Sequence, residues 1–143
     1  MNEELRIQIK AQKLNIDSPL AATHGFIRTN LGLGLLVERV GPKSGELGST
    51  LKTLASERKI DALNYFAKAI YNCGVVATDF KPANIVWNAS TNRIILVDGF
   101  GETSILKLRT NFAYLRHRKL NRYFKNLATN INLTRSSKTR KFN

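Results

Sequence analysis

Two short apolar segments place the tightest constraint on this fold, IVW at 85–87 and IILV at 94–97. The segment NASTN at 88–92 separates them and is rich in turn-forming residues, so the pattern predicts a β-hairpin. Polar segments flank this hairpin: TDFKPAN at 78–84 precedes it and DGFGE at 98–102 follows it. Because a hairpin brings its two ends together, these flanking residues are expected to form one site.

The residue types at these two ends suit phosphoryl transfer. Asp79 would act as a base or orient an accepting hydroxyl, and Lys81 would offset charge on the travelling phosphoryl group. Asn84 and Asp98 supply an amide oxygen and a carboxylate, the hard ligands that Mg²⁺ prefers. A plainer alternative also stands: Asp and Asn are common turn residues, and these side chains would then only cap turns.

The order Asp, Lys two residues later, Asn three residues after that, and Asp beyond a hairpin resembles the kinase catalytic loop and metal site. More closely, KPANI at 81–85, VDGFGETSIL at 97–106 and LNRYFK at 120–125 resemble the YrbL family (PhoP regulatory network protein). The segment HGFIRT at 24–29 also fits a strand of that family. The resemblance covers residues 3–127.

The resemblance implies an α+β class and a truncated protein-kinase-like fold. This fold would comprise a helix, part of an N-lobe sheet, and a helical C-lobe that carries the catalytic-loop hairpin. The kinase-like domain would span residues 1–128, with an incomplete N-lobe at 1–40 and a C-lobe at 41–128. Residues 129–143 would be a basic, disordered tail. The N-lobe strands that carry the Gly-rich loop and its lysine would be missing.

ATP and Mg²⁺ are the cofactors that the resemblance implies. Glu38 and Val40 would lie at the hinge that binds the nucleotide, and Lys81 would contact its phosphates. Glu3 or Glu4 would be the glutamate of the N-lobe helix.

Departures from the kinase pattern leave the activity open. Thr78 replaces the usual Arg before the catalytic Asp, DGFG at 98–101 replaces Asp-Phe-Gly, and no Ala-Pro-Glu follows. Because phosphoryl transfer depends mainly on positioning and electrostatics, losing half of the nucleotide cradle would reduce it severely. The chain is therefore either a weakly active phosphotransferase remnant or a pseudokinase with a regulatory role.

Charge distribution suggests an alternative function. The chain carries 23 Lys and Arg against 10 Asp and Glu, a net charge of +13, and residues 103–143 hold 11 of the cations and no acid. Such a segment can bind nucleic acid or another polyanion, although a solvated helix face is the simpler explanation. A protein-interaction module on a degenerate kinase scaffold, docking through an exposed sheet edge, is the other alternative.

Hydrophobic periodicity predicts the remaining elements. Helices are expected over 2–14, 50–58, 60–73 and 111–128. Strands are expected over 25–29 and 33–40, and the second is apolar enough to be buried on both faces.

Composition limits the class of protein. With 143 residues the chain is long enough for one domain with its own core. A single cysteine, Cys73, excludes an internal disulfide framework. The sequence has no run of 18 apolar residues and no visible secretory signal, so we expect a cytoplasmic protein with no membrane contact.

Overall fold

The computed structural model of the protein describes residues 3–53, 60–75, 80–98 and 113–143. Within these ranges the chain is mixed α+β, which confirms the predicted class. The helices are α1 (Glu3–Lys13), α2 (Ile60–Cys73) and α3 (Ala113–Asn130), and the strands are β1 (Thr23–Thr29), β2 (Gly32–Val37), β3 (Ile85–Asn88) and β4 (Arg93–Leu96). None of the helices in the described ranges is long and apolar enough to cross a membrane.

The predicted hairpin is confirmed in β3 and β4. The strands are antiparallel, with Ile85 opposite Leu96 and Asn88 opposite Arg93. The side chain of Asn88 stabilises the turn, because its Oδ1 accepts the N–H of Ser90 at 3.0 Å. This is the local bond that makes asparagine a turn residue.

Two further segments extend the hairpin on either side. Leu20 pairs in parallel with Leu96, and Thr50 pairs antiparallel with Val86. The hairpin therefore lies at the centre of a small layer, and its open end faces the candidate site.

The helix predicted over 50–58 is wrong at its start. The Ser49 carbonyl accepts the N–H of Trp87 at 2.9 Å, and the N–H of Leu51 bonds to the Ile85 carbonyl at 2.7 Å. Pairing with β3 gives the backbone N–H and C=O groups of these residues hydrogen-bond partners within the protein. Residues 54–58 of that predicted helix lie outside the described part of the chain.

Helices α2 and α3 build the main core against the β3–β4 layer. The predicted stripe of α2 is confirmed, and its buried residues are Leu63, Phe66, Ala67, Ala69, Ile70 and Cys73. On α3 the buried side chains recur at steps of three and four residues, at Leu120, Phe124, Leu127 and Ala128. The rings of Phe66 and Phe124 meet edge to face with centroids 6.3 Å apart.

The β1–β2 sheet corrects the prediction that the second strand is buried on both faces. Among the described residues, the two strands form a two-stranded sheet with each other. Phe26 is 70% exposed, Leu33 is 76% exposed and Leu31 in the turn is 94% exposed. An apolar run identifies a strand but does not say what covers it, and here the described residues leave both faces accessible.

The C-terminal segment corrects the expectation of a disordered tail at 129–143. Phe142 is 1% exposed and belongs to the main core. The side chain of Asn64 on α2 accepts the N–H of Phe142 at 2.7 Å and donates to its carbonyl at 3.3 Å. Net charge does not predict this docking. Burial of one aromatic side chain and a few hydrogen bonds hold the segment on the core while the neighbouring cations stay in solvent.

Candidate functional site

The segment from Lys81 to Asn84 forms a short turn that leads into the hairpin. A 3-10 helix covers Pro82–Asn84, with Lys81 extended in front of it at φ −84° and ψ 146°. Proline suits the first helical position because its missing N–H would have no partner there. The N–H of Asn84 bonds back to the Lys81 carbonyl at 2.9 Å, and Ile85 then starts β3.

The hairpin brings the two predicted metal ligands to one end of the layer. The Val97 N–H donates to the Asn84 carbonyl at 3.0 Å, which continues the ladder one step beyond the pair of Ile85 and Leu96. Asp98 is the next residue, so it follows directly on the partner of Asn84. The structure thereby places Asn84 and Asp98 at the same open end, as the sequence predicts. Asn84 is half-buried and Asp98 is exposed.

This donor set fits a magnesium ion better than a zinc-type centre. The described residues contain no group of three or more His, Cys, Asp or Glu side chains close enough to hold a metal. Mg²⁺ needs less, because it commonly binds through one or two protein oxygens and completes its shell with water and phosphate oxygens. The assignment of Mg²⁺ to Asn84 and Asp98 stays a prediction.

A buried aromatic residue fixes the position of Lys81. Phe80 is 6% exposed, and its ring lies 5.1 Å from that of Phe124 and 6.4 Å from that of Phe66, measured between centroids. Lys81, the next residue, is exposed. Phe80 therefore anchors the segment in the core while the following lysine is accessible from outside. Sequence analysis overlooked Phe80, although an apolar residue between two polar ones is a signal of such an anchor.

The predicted base and its neighbours are outside the described part of the chain. Residues 76–79 are not described, and these include Asp79. Residues 99–112 are not described either. The role of Asp79 therefore stays a prediction. Glu3 and Glu4 begin α1, but their side chains also lie outside the described part.

Glu38 has a structural role that the sequence did not reveal. Its carboxylate accepts the N–H of Ala22 at 3.2 Å, and its own N–H donates to the Ala22 carbonyl at 2.7 Å. These two bonds close the base of the β1–β2 sheet. The nucleotide-binding role of Glu38 stays a prediction.

Val40 lies between the β1–β2 sheet and the hairpin. It is 4% exposed and packs with Ala21, Val86 and Ile95 in a second, smaller core. Its carbonyl accepts the N–H of Gly48 at 3.0 Å. The predicted hinge is thus held against the same hairpin that carries Asn84 and Asp98.

Gly48 holds the loop after the hinge tightly against β3. A Cβ atom at this position would lie 2.5 Å from the Trp87 carbonyl oxygen and 2.6 Å from Cγ1 of Val86. Both distances are shorter than real Cβ contacts, so only glycine fits without a shift of the backbone. Sequence analysis did not single out Gly48, because the contact depends on a strand that lies far along the chain.

Comparison with known families gives one clear result. The family model described as PhoP regulatory network protein YrbL matches residues 1–132, nearly the whole chain. No curated protein gave a match in a sequence comparison.

Proposed function

The chain belongs to the family of the PhoP regulatory network protein YrbL, and from that premise we propose that it binds a magnesium nucleotide on a kinase-like fold. The nucleotide would be ATP, held between the segment 38–40 and the open end of the hairpin. The protein would act in regulation, either as a phosphotransferase of low activity or as a pseudokinase.

One observation carries this proposal. The bond from Val97 to the carbonyl of Asn84 sets Asn84 and Asp98 at one end of the β3–β4 hairpin. Val40 packs on the middle of the same hairpin, against Val86 and Ile95. The predicted metal ligands and the predicted hinge are therefore parts of one connected layer, and this connection supports the proposal.

Each residue then has a defined task. Asn84 and Asp98 would hold Mg²⁺, which neutralises charge on phosphate oxygens when it is bound. Lys81, which is exposed and lies three residues before Asn84, would bind a phosphate oxygen through its ammonium group. Asp79 would orient the acceptor hydroxyl if the protein transfers phosphate.

Fluorescence of Trp87 provides the test, since it is the only tryptophan and lies three residues after Asn84 on β3. We expect a saturable change on titration with a non-hydrolysable ATP analogue in the presence of Mg²⁺, and none with EDTA. Asp98→Asn should weaken this binding about tenfold or more, the effect of losing one charged ligand. Asp61→Asn is the matched control, because Asp61 is an exposed carboxylate on α2 outside the site.

Two outcomes would contradict the proposal. One is an unchanged Trp87 signal with the wild-type protein at millimolar Mg²⁺ and analogue. The other is equal affinity of Asp98→Asn and the wild type. If binding holds, phosphate transfer is measured separately, and loss of it in Asp79→Asn would distinguish an active enzyme from a pseudokinase.

A second candidate, contact with a polyanion, rests on one face of α3. Arg118, Arg122 and Lys125 are exposed and recur at four- and three-residue steps, so they share that face. Replacing the three by Gln should reduce the salt dependence of single-stranded RNA binding by about two units of log–log slope. Unchanged binding in that variant would exclude this face as the contact.

A further inference from the structure

The C-terminal segment and helix α2 together form a cleft outside the candidate nucleotide site. Its volume is about 430 Å³, within the range of pockets that hold small organic ligands. One wall is the outer face of α2, and the other is the loop that contains Arg140 and Lys141. None of the residues that line it belongs to the hairpin.

The chemistry of the lining is strongly cationic. Lys68, Arg140 and Lys141 contribute three positive charges, and the lining includes no carboxylate. The one acidic residue of α2, Asp61, lies in its first turn and is not part of the lining. A cleft with several cations and no acid of its own favours an anionic ligand.

A cation–π contact positions Arg140 beside α2. Its guanidinium carbon lies 5.2 Å from the centroid of the Tyr71 ring. The planar fork of a guanidinium group matches two oxygens of a phosphate. The Tyr71 hydroxyl is occupied elsewhere, since it donates to Oδ1 of Asn121 at 2.6 Å and accepts from Arg135 at 3.1 Å. Burial raises the pKa of Tyr71, against the lowering effect of Arg135 and Arg140, so the hydroxyl remains a neutral donor.

Backbone hydrogen bonds hold the loop at 136–141 in a defined conformation. The Arg140 N–H bonds to the Ser136 carbonyl at 2.9 Å, and the Ser136 N–H bonds to the Lys141 carbonyl at 2.9 Å. Phe142 then enters the core, clamped by Asn64. The two cations are therefore positioned over α2 before any ligand arrives, which lowers the entropic cost of binding.

On these grounds we propose that the cleft between α2 and the loop 136–141 binds a small organic phosphomonoester that carries a flat ring. Arg140 and Lys68 would bind the phosphate. Tyr65, an exposed aromatic residue of the lining, would contact the ring. The proposal uses no residue of the magnesium site and does not depend on it.

Adenosine monophosphate is the probe, measured by calorimetric titration of the full chain in EDTA so that no magnesium site can contribute. We expect saturable binding to one site, weaker binding of ribose 5-phosphate, and no detectable binding of adenosine. Lys68→Gln and Arg140→Gln should each weaken binding about tenfold, the effect of losing one charged hydrogen bond to phosphate. Arg140→Lys should recover only part of it, since lysine lacks the planar fork.

The matched control is Lys138→Gln, which removes an exposed cation from the same loop but outside the lining. Its affinity should equal that of the wild type. Arg140→Gln also removes the contact with Tyr71 and could disturb the loop, so Lys68→Gln serves as the second variant. Lys68 is exposed on a regular helix, and its substitution leaves the loop in place. Four results would each overturn the proposal. They are a loss of affinity in Lys138→Gln equal to that in Lys68→Gln, an unchanged affinity in Lys68→Gln, binding of adenosine as tight as that of adenosine monophosphate, and no binding at millimolar adenosine monophosphate.

Discussion

The most direct test of the fold is the substitution Phe142→Ala near the C-terminus. The side chain is 1% exposed, and its ring lies 5.9 Å from that of Phe124 in an edge-to-face contact. Arg135 lies over the Phe142 ring at 5.5 Å and over the Phe124 ring at 5.2 Å. If the tail were disordered, as its composition suggests, the same substitution would have no effect on stability.

The structure sets the magnitude of the expected loss. Burying a phenylalanine side chain contributes about 1.5–3 kcal/mol. The ring contact with Phe124 adds about 0.5–1.5 kcal/mol. Phe→Ala substitutions in cores cost about 3–5 kcal/mol in practice. Because the tail can detach when it is weakened, the loss cannot exceed the free energy of its docking, so we expect the lower end, about 3 kcal/mol.

Urea denaturation followed by Trp87 fluorescence and by circular dichroism measures this loss. The matched control is Phe26→Ala, a substitution of the same residue type at a position that is 70% exposed. It should change the free energy of unfolding by less than about 0.5 kcal/mol. A Phe142→Ala variant as stable as the wild type would refute both the docking of the tail and the cleft that it forms with α2.

Two further predictions concern tight or buried positions. Gly48→Ala should destabilise the fold by about 1–3 kcal/mol in urea denaturation, since the new Cβ meets the Trp87 carbonyl and Val86. Gly34→Ala, whose nearest contact is the methyl group of the exposed Thr29 side chain at 3.3 Å, should cost less than Gly48→Ala, and equal losses would contradict the argument. Cys73 is fully buried, and burial raises the pKa of its thiol despite the opposing effect of Lys10. Its reaction with Ellman's reagent at pH 8 should therefore accelerate only when urea opens the fold. Because the folded state favours the neutral thiol, the free energy of unfolding should fall as the pH rises toward the raised pKa.

Local patterns allowed much of this structure to be predicted from the sequence. The α2 stripe and its glycine stop are short-range features: the N–H of Gly74 bonds to the Ile70 carbonyl at 3.1 Å, and Gly74 has φ 70°. The hairpin is equally local, because its turn residues and its two apolar segments lie within a few residues of each other. The position of Asn84 and Asp98 at one end of the hairpin follows from its register alone.

Features that depend on distant partners could not be predicted in this way. Thr50 and its neighbours pair with β3 rather than starting a helix, and Asn64 binds the backbone of Phe142 across 78 residues of sequence. Serine is a common N-cap residue, so Ser49 is compatible with a helix start, but its carbonyl accepts the N–H of Trp87 on β3 instead. Likewise, the apolar run at 33–40 is compatible with a buried or an exposed strand, and only the tertiary structure decides.

The basic segment is best understood by dividing its charges according to what they contact. Arg135 is half-buried and stacks on the Phe124 and Phe142 rings, and its Nε is buried with no hydrogen-bond partner. Burying a cation in this way is costly unless its partners compensate, and three aromatic rings provide that compensation here. Arg135 is therefore part of the fold and unavailable to a polyanion.

Arg140 and Lys141 form the second group, because they line a cleft of fixed shape instead of a flat surface. Arg118, Arg122 and Lys125 form the third group, because they are exposed at helical spacing on one face of α3. The three groups predict different salt dependences. The contribution of Arg135 to folding stability should change only weakly with salt, through screening. The affinity of the cleft for a phosphomonoester should fall slightly with salt, and the affinity of α3 for nucleic acid should fall steeply. Variants in each of these groups can therefore separate the contributions of the basic segment to folding, to phosphomonoester binding and to nucleic-acid binding experimentally.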